Sequence, residues 1–188
     1  FEVTERVSYE GEVLTPMDTG ELAEAIAAVA EGGYDAVAVA FLHAYANPAH
    51  ERAVGDALRA RLPGVALSLS VDVSPKLREY ERTTTTVANS FVKPLVGEYV
   101  RRLSESFAGM GASAELSIMQ SNGGLVSPEL AREYPIRIVE SGPAAGVLLA
   151  GQVGHQIGAN HVLSFDMGGT TAKLGAIDEG EPVICLLY

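Results

Sequence analysis

Apolar and polar positions change period several times along the chain, and each change marks an element. Residues 1–8 and 11–14 read as the two arms of a short hairpin. From 18 to 32 the period becomes helical: Leu22, Ile26 and Val29 form a stripe, and Asp18 with Glu21 makes a capping-box-like start. Ala36 to Leu42 is an unbroken apolar run, the pattern of a strand covered on both faces. Asn47-Pro48 opens a second helix with Val54, Ala57, Leu58 and Leu62 on one side, and Pro63-Gly64 stops it. Residues 65–70 alternate as a strand does. Strand and helix in alternation predict an α/β fold with a mostly parallel sheet.

A long helix follows. Val87, Phe91, Leu95, Tyr99, Leu103 and Phe107 recur every fourth residue, and Val92, Val96 and Val100 widen the stripe, so much of the helix is expected to be buried. Pro94 lies inside the pattern and predicts a kink or a break. Arg82 and the threonines 83–86 fit either a surface helix start or the lining of a substrate or phosphate cleft. Ile118 to Val126 reads as strand, Asn-Gly turn and strand; the turn is explained by its hairpin chemistry alone, with a ligand role for Gln120, Ser121 and Asn122 as the alternative. Ser127-Pro128-Glu129 starts a short helix, and 136–139 reads as a short strand.

Candidate chemistry gathers after residue 140. Glu140-Ser-Gly-Pro143-Ala-Ala-Gly146 opens a helix that ends at Gly158, with Pro143 in its first turn and Ser141 or Gly142 as its cap. Glycine costs a helix about 1 kcal/mol relative to alanine. Gly146, Gly151 and Gly154 therefore predict close approach, either to a ligand or to a packed neighbour, and the two are compatible. Packing at Gly146 would make a leucine there destabilising. Val162 to Ile177 then reads as strand, Asp166-Met-Gly-Gly-Thr-Thr171, and strand. A plain hairpin with a Gly-Gly turn fits this octet. So does a phosphate loop: glycines let amides approach an anion, threonine hydroxyls donate, and one carboxylate suits magnesium beside phosphate oxygens.

Four motifs in order decide more than any one of them. Arg78-Glu-Tyr-Glu-Arg82-Thr-Thr-Thr-Thr86, Ile118-Met-Gln-Ser-Asn122-Gly-Gly124, Glu140-Ser-Gly-Pro-Ala-Ala-Gly146 and Phe165-Asp-Met-Gly-Gly-Thr-Thr171 together resemble the hydantoinase A/5-oxoprolinase family, from about Phe1 to Val183. That family includes acetone carboxylase subunits and lies within the actin-like ATPase superfamily. The resemblance implies a partial ribonuclease-H-like (actin-like ATPase) fold, with mixed sheets flanked by helices. Residues 1–75 would be the remainder of an N-terminal lobe, 76–160 the long helix and connecting region, and 161–188 the start of a second lobe.

The implied function is ATP-dependent activation and opening of a five-membered cyclic amide of the hydantoin or 5-oxoproline type. The alternatives are a ketone carboxylase subunit and a nucleotide-binding module that cycles conformation as chaperone ATPases do. By the same resemblance Asp166 is the catalytic and metal-binding residue. Gly168, Gly169, Thr170, Thr171, Gly142 and Gly146 bind the nucleotide; Arg82 and Asn122 lie in shared motifs and are candidate substrate contacts, a role the resemblance does not itself assign. ATP and Mg²⁺ are the implied cofactors, and a B-type subunit is an implied partner. Family members carry an earlier Asp-x-Gly-Gly-Thr loop that is absent before residue 166 here, so the chain reads as an internal piece, expected to be inactive alone and to self-associate through cut strand edges. Many relatives place an acid where this chain has Lys173.

Composition changes this picture little. At 188 residues, 47% of them hydrophobic, the chain can form one sizeable core or two small ones. A net charge of −11 with no basic stripe argues against nucleic acid. Cys185 stands alone, so no internal disulfide forms, and its apolar neighbours suggest a buried strand thiol. No apolar run reaches membrane-spanning length, and a cytoplasmic location is expected. The four histidines show no ligand spacing.

Overall fold

The computed structural model describes residues 1–111 and 115–183. They form two compact units, Phe1–Arg102 with Arg132–Ile136, and Leu103–Ala131 with Arg137–Tyr188. Cys185 lies outside the described residues.

The first unit opens with an antiparallel pair, β1 (Arg6–Val7) and β2 (Val13–Thr15). Helix α1 (Thr19–Gly32) begins where Asp18 Oδ1 accepts the amides of Gly20 at 2.8 Å and Glu21 at 3.0 Å. Only half of the expected capping box forms. The Glu21 carboxylate accepts the Thr4 amide at 2.6 Å, so it ties the chain entering the helix rather than closing the box. Strand β3 (Ala36–Val39), helix α2 (Ala49–Arg61) and strand β4 (Ala66–Leu69) form a βαβ unit, with β3 and β4 parallel in the register Ala36↔Ala66 to Val39↔Leu69. Leu22, Val39, Ala44, Val54, Leu58, Leu69 and Val71 make the core. β3 is shorter than its apolar run because the chain turns at His43, whose φ is 56°. A short α3 (Ser70–Val73) follows β4.

Helix α4 (Glu79–Gly109) runs through Pro94 without interruption. Its expected burial holds at Val100, which is fully buried, but fails along the row of Phe91 and Leu95. Phe91 is 82% exposed and Leu95 77%, while Arg82, Thr86, Asn89 and Ser90 are buried. The polar face turns inward because it supplies donors to the sheet: Ser90 Oγ to the Val37 carbonyl at 3.0 Å, Lys93 Nζ to the Leu67 carbonyl at 2.7 Å, and Asn89 Nδ2 to Ser68 Oγ at 3.0 Å. A buried acceptor left without a donor costs about 1–3 kcal/mol, comparable to exposing one large apolar side chain. Thr83 lines a mostly apolar cavity with Leu22, Val39, Phe41 and Val87. Thr84, Thr85 and Thr86 donate to the carbonyls of Tyr80, Glu81 and Arg82 in their own helix, which satisfies their hydroxyls locally. On the exposed side, hydrogen bonds from Arg101 and then Arg102 hold the Glu98 carboxyl down at about 2.

In the second unit β5 (Ile118–Met119) and β6 (Leu125–Val126) pair antiparallel. Asn122 Oδ1 accepts the Gly124 amide at 3.0 Å, and Gly123 has φ 87°, so the Asn-Gly turn forms as its chemistry dictates. Helix α5 (Pro128–Glu133) bridges the boundary between the units in sequence, and residues 135–138 form a 3₁₀ turn where a strand was expected. The Ser121 amide bonds the Arg137 carbonyl at 2.7 Å, and a proline at 135 removes a ladder donor. Helix α6 (Ser141–Ile157) packs on an antiparallel sheet of order β7 (His161–Met167), β8 (Ala172–Asp178), β9 (Glu181–Pro182). Only β3–β4 is parallel among the described strands, so the sheets are mixed rather than mostly parallel.

The close approach is made at Gly154 and Gly175, not at Gly146. A Cβ on Gly154 would meet Val162 Cγ2 at 2.5 Å, and one on Gly175 would strike Val147, whereas one on Gly146 would meet nothing within 4 Å. We therefore expect Gly154→Leu and Gly175→Val each to destabilise the unit by about 1–3 kcal/mol through overpacking. Gly146→Leu should stay within about 0.5 kcal/mol of the parent. Thermal melts of the three variants check this; equal melting temperatures would contradict it.

Candidate functional site

The β7–β8 hairpin carries Asp166 at its open end. Asp166 stands directly opposite Lys173 and Met167 opposite Ala172, and the turn closes with the Gly168 amide on the Thr171 carbonyl at 3.0 Å. Asp166 through Thr171 are all exposed. Neither Gly168 nor Gly169 takes a left-handed φ, and a Cβ on Gly169 would meet nothing within 4 Å. The turn itself therefore does not require glycine at 169. What glycine leaves is open space over the loop's amides, the space an anion needs.

Contacts bring two more of the sequence motifs to this hairpin. Lys173 Nζ is ion-paired with Glu140 Oε2 at the start of α6. The Glu140 amide in turn donates to Ser121 Oγ at 3.1 Å, which ties the Gln120–Gly124 turn to the same place. Helix α6 starts at Glu140 with no side-chain cap. Among the described residues its first-turn amides, including that of Gly142, have no side-chain cap, and they form the positive end of a 17-residue helix. A Cβ on Gly142 would also meet nothing within 4 Å. The sequence places the cap at Ser141 or Gly142; the structure moves it to Glu140, whose carboxylate is engaged by Lys173 instead of by the helix amides. Asn122 lies in the tethered turn and uses its Oδ1 to hold that turn. One end of the hairpin thus assembles glycine amides, two threonine hydroxyls, an uncapped helix start, an ammonium and two carboxylates, all solvent-accessible. That set of groups is suited to a polyphosphate with a divalent cation.

Arg82 does not join this site. It is 1% exposed, and its guanidinium donates to Ser70 Oγ at 3.0 Å, the Lys76 carbonyl at 3.0 Å and the Phe41 carbonyl at 2.6 Å, with the ring of Tyr45 beside it at 5.6 Å. Ser70 Oγ donates to the buried Glu51 carboxylate at 2.5 Å, and Glu51 also accepts the amides of Phe41 at 2.8 Å and Val71 at 3.0 Å. Arg82 therefore locks together the segments that follow β3 and β4 and offers no donor to a substrate. Pattern reasoning overlooked Glu51, because an acid on a helix face gives no sign that two strand-end amides will converge on it. Ser121 and Glu140 lay inside the recognised motifs, but their role as tethers depends on contacts distant in sequence. At the other end of the hairpin His161, Asp178 and Glu179 lie together, with His161 Nδ1 2.7 Å from Asp178. Strand register creates this cluster, which is why sequence spacing did not show it.

Comparison with known proteins gives the family of the chain. Residues 82–186 match the Hydantoinase/oxoprolinase family, and residues 1–62 match the Hydantoinase/oxoprolinase N-terminal region. The chain is 33% identical to the 5-oxoprolinase of Saccharomyces cerevisiae over 79% of its own length and 11% of that protein. A crystal structure of the ATP-dependent caprolactamase from Pseudomonas jessenii superposes with a TM-score of 0.84 at 33% identity, covering 93% of this chain and 25% of that one. A nucleotide-free acetone carboxylase, solved in work on ATP-dependent acetone carboxylation, superposes with a TM-score of 0.85 at 26% identity, covering 95% and 26%. The fold is a portion of the α/β, ribonuclease-H-like architecture of these ATP-dependent enzymes. The chain belongs to the hydantoinase/oxoprolinase family. It spans about a quarter of the length of the first curated relatives that it matches, 28% and 24%.

Proposed function

We propose that this chain forms the part of an ATP-dependent enzyme that holds the phosphates of ATP at the β7–β8 turn, and that the enzyme activates and opens a cyclic amide. The observation that carries the reading is the tether Ser121–Glu140–Lys173, which gathers three separate motifs around Asp166-Met-Gly-Gly-Thr-Thr171. The amides of Gly168, Gly169 and Thr170 cradle phosphate oxygens, and the hydroxyls of Thr170 and Thr171 orient them. The uncapped amides at Gly142 add a second donor group, and the open positions over Gly142 and Gly146 leave room for the nucleotide. Asp166 fits a magnesium ion, which takes one or two carboxylates beside phosphate oxygens and, when bound, neutralises phosphate charge. Asn122, on the tethered turn, is the candidate contact to the group that receives the phosphoryl.

Membership of the family supports the following chemistry. The carbonyl oxygen of the cyclic amide attacks the γ-phosphorus and ADP leaves. Water then adds to the activated carbon, the ring C–N bond breaks as the nitrogen takes up a proton, and a second water hydrolyses the resulting acyl phosphate to the carboxylate and phosphate. Two relatives, the alpha subunit of a caprolactamase and the beta subunit of an acetone carboxylase, support a partner subunit that completes the reaction.

ATP-dependent ketone carboxylation is the second reading, favoured by the structural match to acetone carboxylase. The test is ADP release by the complete enzyme that carries this chain, with hydantoin, 5-oxoproline or caprolactam against acetone with bicarbonate. Stimulation by a cyclic amide is expected. Stimulation by the ketone alone would select carboxylation, and substrate-independent hydrolysis would favour a conformational ATPase module.

A further inference from the structure

Lys173 is a cation beside the loop whose position the strand register fixes. It stands directly across from Asp166, so the two side chains emerge on the same face of the hairpin within a few ångströms of each other. Its ammonium is paired with Glu140 Oε2. Glu140 is itself anchored through its backbone, by the amide bond to Ser121 Oγ, so the acceptor is held while its carboxylate stays accessible. Both side chains are partly open to water, 39% for Lys173 and 62% for Glu140. Exposed pairs of this kind are weak and exchange partners readily.

We infer that Lys173 is a phosphate ligand of this site and that Glu140 holds its ammonium in reserve until the nucleotide arrives. A phosphate group carries more negative charge than a carboxylate and offers an ammonium several acceptor oxygens, so the arriving nucleotide competes well for it. Exchange of Glu140 for phosphate leaves Glu140 free beside the uncapped start of α6, where a negative charge is stabilised by the helix dipole. Glu140 therefore acts as a latch that lowers nucleotide affinity, and Lys173 as the group that the latch controls. The inference rests on the phosphate reading of the loop, and its test separates the two.

MgATP binding to the complete enzyme is measured by calorimetry for the parent, Glu140→Gln, Lys173→Gln and the double variant, with circular dichroism confirming the fold of each. Glu140→Gln keeps the amide that bonds Ser121. It should tighten MgATP by about two- to five-fold, the scale of an exposed ion pair. Lys173→Gln should weaken binding by about tenfold, as loss of a charge-assisted hydrogen bond to phosphate does. The double variant should match Lys173→Gln, because the latch has nothing left to hold. A gain from Glu140→Gln that persists without Lys173 would show simple repulsion by Glu140 and overturn the latch. Unchanged affinity in Lys173→Gln would overturn it as well. If no protein in the series, the parent included, bound MgATP, the phosphate reading itself would fall.

Discussion

Asp166→Asn should leave folding near that of the parent and lower ATP-dependent turnover of the complete enzyme by at least ~10²-fold, the scale at which one preorganised electrostatic group acts. Asp166 is exposed at the end of β7 and is not part of either unit's core, so the substitution removes charge and little else. Asparagine keeps the size and hydrogen-bonding capacity of the side chain but not the charge that suits a divalent cation. Gly169→Val should abolish nucleotide binding by filling the space over the loop's amides. Because a Cβ at 169 meets nothing within 4 Å and its φ is not left-handed, that variant should also fold. Loss of binding in a folded protein separates a ligand role from a turn requirement. Parental hydrolysis rates in both variants would make the turn a structural hairpin.

Arg82→Leu should have the largest effect on stability, about 3–5 kcal/mol, because it strips one partner from a buried polar network. The Phe41 and Lys76 carbonyls lose their donor, and Ser70 loses the group that orients it toward Glu51. Arg82→Lys should recover little, since a single ammonium cannot reach three acceptors in different directions. Chemical denaturation of the two variants decides the matter. A change below about 1 kcal/mol for Arg82→Leu would show that the network is not what joins the segments after β3 and β4.

The elements with strong local signals were legible in the sequence. Asp18 caps α1, Gly158 ends α6 with a left-handed φ of 75°, and the strands on either side of Asp166-Met-Gly-Gly-Thr-Thr171 pair as expected. What the sequence could not show was which partner each face would meet. The apolar period of α4 is real, yet the face carrying Phe91 and Leu95 is the exposed one, because the opposite face holds hydrogen bonds to β3 and β4. A periodicity reports that two faces differ; tertiary contacts decide which is buried. Arg82 misled for the same reason, since its motif was legible and its burial among backbone carbonyls was not. At the candidate site the loop and helix could be read from glycine placement. The tether through Ser121, Glu140 and Lys173 depended on contacts between residues far apart in the chain, and so did the shift of the small-residue contact from Gly146 to Gly154.

The central claim, that the β7–β8 turn and the start of α6 hold nucleotide phosphates, is tested most directly by amide hydrogen exchange of the complete enzyme with and without MgATP. Exchange should slow at residues 166–173 and 140–146 when MgATP is bound, with the Gln120–Gly124 turn following through its tether to Glu140. Bound MgATP with unchanged exchange in both segments would contradict the account.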